Sequence, residues 1–103
     1  MRMIQAIDPQ PELCAERLRT LGEPTRLKIL QLLQDRPRTP TEMRKKLNLP
    51  ANLLSHHLKI LRQAGFVEAH RAGRSLRYRL IHPLQQTDGR FALDLGCCRL
   101  DFS

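Results

Sequence analysis

At 103 residues the chain has room for one domain, and a hydrophobic content of 41% with no Trp gives that domain an aliphatic core. No apolar run approaches a membrane span or a signal-peptide core, and three cysteines in no framework spacing argue against a secreted disulfide scaffold. The expected location is the cytoplasm, with no membrane partner.

The net charge of +8 is unevenly placed. Residues 36–80 hold eleven Lys and Arg against Glu42 and Glu68, a balance of +9, while the remainder carries −1. A basic block between near-neutral flanks is what a polyanion-binding surface requires; a generally solvated basic surface predicts no such partition.

Residues 1–9 read as a loose N-terminal segment, with Pro9 and Pro11 marking where structure begins. From about Glu12, Cys14, Leu18 and Leu21 recur at helical spacing and Gly22 closes the helix. Pro24 opens a second helix to about Asp35, apolar around much of its circumference through Leu27, Ile29, Leu30, Leu32 and Leu33, so it belongs at the domain centre. Thr39, Pro40 and Glu42 read as a capping box for a short third helix, about 40–47, with Met43 and Leu47 inward and Arg44, Lys45 and Lys46 outward.

After the turn at Asn48–Pro50 comes the segment with the clearest pattern. Leu54, Leu58 and Leu61 form one face of a helix, while Asn52, Ser55, His56 and Lys59 form the opposite one. His57 falls at the core edge, and Gly65 suits the position just beyond the helix. The period then changes to two: 66–71 and 75–80 are strands joined through Ala72-Gly73-Arg74, with Leu76, Tyr78 and Leu80 on one face and Ser75, Arg77 and Arg79 on the other. Two short helices followed by a basic hairpin make a winged helix-turn-helix, mainly α (α+β), with a two-stranded β-wing. The expected DNA contacts are Arg44, Lys45, Asn52, Ser55, His56, Lys59, Arg71, Arg74 and Arg77.

Three features together, LGEPTR (21–26), SHHLKILRQAG (55–65) and GRSLRYRL (73–80), resemble the ArsR/SmtB family of bacterial repressors over about residues 12–81. The resemblance implies a homodimer on a palindromic DNA operator, released when an effector, commonly a soft metal or metalloid, binds. It also implies a dimer interface of first and last helices, placing Cys14 and the C-terminal segment at the subunit boundary. The chain departs from familiar members: TPTEMRKKL carries none of the cysteines of arsenic-sensing relatives, and the tail after Pro83 lacks the Asp/His and His/Glu pairs of zinc sensors.

These considerations divide the chain into a loose segment (1–9), a DNA-binding domain with an N-terminal dimerisation helix (10–82) and a C-terminal dimerisation and effector segment (83–103). In that last segment Pro83–Thr87 suits a helical turn, and RFALDLGCCRLDFS reads as an extended stretch with a bend or bulge at Gly96-Cys97. Cys97-Cys98 is the dense site of soft ligands; two adjacent thiolates chelate one ion only where the backbone bends, and a three-coordinate centre needs Cys14 as well. The favoured effector is therefore arsenite or antimonite, with no obligatory cofactor. Two other roles fit the same residues: a thiol redox switch pairing Cys14 with a tail cysteine across the interface, and plain packing of small apolar side chains. A thiol metal carrier or oxidoreductase leaves the +9 block unexplained. His56 and His57 point about 100° apart, a poor arrangement for one ion, and Ser55 beside His56 lacks the third group and oxyanion loop of a hydrolase, so no enzyme is expected.

Overall fold

The computed structural model describes residues 2–5, 11–81, 91–95 and 97–102. Its elements are β1 (Arg2–Gln5), α1 (Pro11–Leu21), α2 (Pro24–Leu32), α3 (Pro40–Leu47), α4 (Ala51–Gln63), β2 (Val67–Ala72), β3 (Ser75–Leu80), β4 (Phe91–Asp94) and β5 (Cys98–Phe102).

The helices follow from their apolar periodicity and their caps. Glu23 precedes α2 in extended conformation, and its carboxylate accepts the Arg26 N–H at 3.0 Å. Pro24 supplies the first helical position, where a missing N–H costs nothing. The helix stops at Leu32, three residues short of the sequence expectation, because Leu33–Asp35 turn instead. Ile29, Leu30 and Leu33 are buried and Leu27 and Leu32 pack beside them, so the all-round apolar helix is central as expected. At α3 the Thr39 hydroxyl accepts the Glu42 N–H at 3.2 Å and donates to the Glu42 carboxylate at 3.3 Å, a variant of the capping box closed through side chains. Asn48 then takes the left-handed conformation at φ 53, which Asn tolerates better than most residues, and the chain reverses into α4.

Leu54, Leu58 and Leu61 of α4 are all buried in one cluster with Ile29, Leu30 and Met43. Leu61 is 0% exposed. Leu61→Ala should therefore lower stability by ~2–5 kcal/mol. Urea denaturation checks this: the midpoint should fall with the slope unchanged.

Beyond Gly65 (φ +84), β2 and β3 pair antiparallel from Val67↔Leu80 to Ala72↔Ser75, leaving Gly73-Arg74 as a two-residue turn with Gly73 at φ +63. Leu76 and Tyr78 are half-buried and Leu80 buried, alternating with exposed Ser75, Arg77 and Arg79 as the period required. The backbone of Arg38 pairs with Tyr78 in both directions, at 3.0 and 2.8 Å, and so fastens the wing to the start of α3. The Arg38 side chain is buried at 7% exposure and bonded to Asp35, so this member of the basic block is not a surface cation.

Both ends of the chain differ from the sequence expectation. Arg2–Gln5 are not loose but form a strand, paired antiparallel with β5. The tail is not one bent segment: β4 and β5 are antiparallel, paired from Phe91↔Phe102 to Asp94↔Arg99, and the Leu95 N–H donates to the Cys98 carbonyl at 2.9 Å. The three strands lie in the order β1-β5-β4. The bend or bulge expected from the sequence is instead the link between two antiparallel strands, and Leu93, Leu95, Cys97, Cys98 and Leu100 join the common core. The expected turn at Pro83–Thr87 lies outside the described residues.

Candidate nucleic-acid interface and thiol cluster

Two groups of residues stand out, one on the outer face of α4 and the wing, the other between α1 and the C-terminal hairpin. On α4, Asn52, Ser55, His56 and Lys59 are all exposed, opposite the buried leucines. Arg44, Lys45 and Lys46 are exposed at the end of α3, where cations also suit the helix dipole. Arg71, Arg74 and Arg77 are exposed on the wing. Arg79 differs: its Nε donates to Glu68 at 2.6 Å, and His70 contacts the same carboxylate at 2.9 Å. These bonds hold the Glu68 carboxyl below the usual range and occupy Arg79, leaving the other wing arginines as the available cations. Sequence reasoning left out Arg62, which with Ser55, Lys59 and Tyr78 lines a groove between α4 and β3. Its spacing of three from Lys59 on the same helix was the available signal.

Arg26 joins the back of α4 to α1. Its guanidinium donates to the Thr20 carbonyl at the end of α1, at 3.0 Å, and its Nε donates to His57 Nδ1 at 3.2 Å. An acceptor at Nδ1 requires the neutral ring with its proton on Nε2. Burial pushes His57 below its ordinary pKa of 6.5, and Arg26 and His56 act in the same direction, while Glu23, 3.7 Å away, opposes them. The folded chain therefore resists a proton that the unfolded chain accepts near pH 6.5, so this contribution is complete above that value and declines as pH falls below it. Urea unfolding at pH 7.5 and 5.5 should show a loss of stability that is smaller in His57→Gln. An equal loss in the variant would assign the slope to other groups.

The second group unites all three cysteines of the chain. Cys14 is half-buried on α1; Cys97 lies in the reversal and Cys98 begins β5, both buried. Cys14 and Cys97 are joined by a disulfide with Cα atoms 5.8 Å apart, within the ordinary range. Cys98 keeps its thiol, 3.8 Å from the Cys14 sulfur and 3.9 Å from that of Cys97. The reversal allows this, because Cys97 precedes the strand and so is not forced to the face opposite Cys98. The Arg17 guanidinium donates to the Leu95 carbonyl, adding a polar tie between α1 and the same turn. The redox pairing considered from the sequence ran between subunits; here it closes within one chain.

The three sulfur atoms lie within 4.8 Å of one another, so that reduction of the disulfide would offer a compact soft donor set. Sulfurs sharing an ion at ~2.3 Å stand ~3.5–3.8 Å apart, close to the two distances made by Cys98. Among the described residues this is the one group of three or more His, Cys, Asp or Glu side chains close enough to share an ion. Its all-sulfur composition selects thiophilic ions over hard ones.

Comparison with known proteins agrees with this architecture. Residues 21–70 match a helix-turn-helix domain model. The crystal structure of Rv0081 from Mycobacterium tuberculosis superposes with a TM-score of 0.68 at 38% identity, covering 74% of this chain and 77% of that one. The chain belongs to the ArsR/SmtB family. The HTH-type transcriptional repressor SmtB of M. tuberculosis is 43% identical over 65 residues, 63% of this chain and 48% of that protein. A probable mercury resistance operon repressor of Streptomyces lividans is 37% identical over 73 residues, covering 71% of this chain and 58% of that one. This member thus spans about half the length of the first relatives it matches. No helix among its described residues is long and apolar enough to cross a membrane.

Proposed function

We propose that this ArsR/SmtB member is a dimeric DNA-binding repressor, not an enzyme, released from a palindromic operator when a thiophilic metalloid or soft metal binds Cys14, Cys97 and Cys98. The observation that carries the reading is the convergence of three sulfurs from α1 and the C-terminal reversal in a protein with an exposed reader helix. The name of the S. lividans relative supports a response to a thiophilic ion. Arsenite or antimonite suits the site best, because trivalent centres are satisfied by three thiolates and the described residues bring no fourth such donor within reach.

In this reading Asn52, Ser55, His56 and Lys59 face the major groove, Arg44 and Lys45 meet phosphates beside it, and Arg71, Arg74 and Arg77 lie along the backbone or adjacent minor groove. The ion acts by population shift, binding the low-affinity arrangement of the dimer more tightly than the DNA-bound one. The chain of contacts from Cys14 along α1 to the Thr20 carbonyl, through Arg26 to His57 on α4, supplies a physical connection between the two sites. The chain divides functionally into segments 1–9, 10–82 and 83–103, with the last supplying Cys97 and Cys98 and part of the dimer contact.

The test uses a duplex selected from a random-sequence library, followed by fluorescence anisotropy. Affinity should fall steeply with salt; a flat response would remove the DNA reading. Arg74→Ala should weaken binding to all duplexes and reduce the salt slope by about 1. Arsenite should release the duplex from the reduced wild type and not from the Cys97→Ser, Cys98→Ser double variant. Release from that variant would show that the effector site lies elsewhere. The Cys14–Cys97 disulfide favours a second reading, in which oxidation itself releases DNA. That reading predicts release by an oxidant without metal, reversed by a thiol reductant.

A further inference from the structure

The three sulfurs serve two chemistries that exclude one another. Two are joined in the structure, and the third lies almost equidistant from both, at 3.8 and 3.9 Å. A thiolate binds a soft ion; a disulfide sulfur has given up that capacity. Closing Cys14–Cys97 therefore withdraws two of the three donors and leaves one thiol donor, that of Cys98, which is buried at 5% exposure. We infer, resting on the effector reading above, that the cluster is an oxidation-gated ion site: the Cys14–Cys97 disulfide is a closed state that cannot take the ion, and reduction opens it within a single chain.

The exposure of the three residues sets the order of events. Cys14 is half-buried, whereas Cys97 and Cys98 are both buried, so within one chain Cys14 is the most exposed of the three. With a low-molecular-weight disulfide RSSR, the Cys14 thiolate attacks one sulfur, forming Cys14–S–SR and expelling one thiolate RS⁻. The Cys97 thiolate then attacks the Cys14 sulfur, forming the intrachain bond and expelling the second RS⁻. Two protein thiols are oxidised and one RSSR is reduced to two RSH. Opening is the reverse reaction. In the open state arsenite, As(OH)₃, exchanges its three hydroxyls for three thiols with loss of three waters.

The gate has a direction. Oxidation does not mimic the ion at the level of ligation; it blocks the ion from a site that needs both ends of the bridge. Because Cys14, Cys97 and Cys98 belong to one chain, a single protomer supplies all three sulfurs.

The experiment uses the full chain in two states, reduced by a phosphine and oxidised by excess small disulfide, each freed of reagent. Alkylation with mass spectrometry should count three thiols in the reduced state and one, Cys98, in the oxidised state. Arsenite is then added to both. The reduced chain should bind one arsenic with loss of all three alkylatable thiols, and the oxidised chain should bind at least ~100-fold more weakly, since losing two ligands should cost more than the ~10–100-fold of losing an outer partner. Re-reduction should restore uptake. Equal binding by the oxidised chain would overturn the gate while leaving the effector reading intact. An oxidant-induced bond between Cys97 and Cys98, or between chains, would likewise overturn it. Failure of the reduced chain to take up arsenite would instead overturn the effector reading, and the gate with it.

Discussion

Cys14→Ser should leave operator affinity within twofold of wild type and raise the arsenite needed for half-release by at least ~100-fold. The substitution changes a half-buried side chain of α1 and none of the exposed residues of α4 expected to meet DNA. It removes the only sulfur on α1, and with it the covalent connection from the ion to a helix whose end is bonded by Arg26. Cys97 and Cys98 remain and can hold arsenite as a two-coordinate adduct, but that adduct lies wholly within the C-terminal turn and exerts no pull on α1. Losing an outer partner of a metal ligand already costs ~10–100-fold in affinity, so losing a ligand should raise the arsenite needed for half-release by at least ~100-fold. Anisotropy with and without arsenite reads both quantities. Undiminished release from Cys14→Ser would confine the effector site to the vicinal pair and leave the α1 connection without a role.

The reader helix and wing were legible because single-period patterns leave little choice. Three leucines at i, i+4 and i+7 fix which face of α4 is buried, and alternation through 75–80 fixes the face of β3. The cysteine cluster was legible as composition but not as geometry. That Cys97 and Cys98 were candidate soft-ion ligands followed from their chemistry; that Cys14 reached them within one chain depended on the antiparallel pairing of β4 with β5. A local slip in periodicity does not distinguish a reversal from a bulge, because both leave alternate residues on one face. The strand at Arg2–Gln5 was hidden for a related reason: four residues acquire strand structure only from the partner that pairs with them.

Polar burial was least visible. Arg38 counted as one more surface cation until Asp35 and the Tyr78 backbone were placed beside it. Arg26 sits in the LGEPTR segment, yet nothing local indicates that its guanidinium spans Thr20 on one helix and His57 on another. Buried polar groups need partners, but the partner is chosen by tertiary packing, thirty-one residues away along the chain in this case.

Asn52→Ala should weaken binding to the selected duplex by ~1–3 kcal/mol and relax preference at one position of the site. In helix-turn-helix proteins the first residues of the recognition helix reach the base edges, and Asn52 is the second residue of α4, exposed, with Pro50 preceding the helix and making no side-chain cap that would compete for space. Its amide offers a donor and an acceptor together, the pairing that matches the N6 and N7 edge of adenine. Helix propensity favours Ala over Asn, so the substitution should not lower folding stability, and any loss of affinity belongs to the interface. The contrast with Arg74→Ala separates the two kinds of contact: the wing variant should lose affinity for every duplex alike and flatten the salt slope, whereas Asn52→Ala should keep the slope and lose affinity for the selected duplex alone. Titrations of both variants against selected and scrambled duplexes at two salt concentrations decide the matter. A uniform loss from Asn52→Ala would move it from base reading to phosphate contact and shift the reading role to Ser55 and His56, the next exposed pair along the same helix.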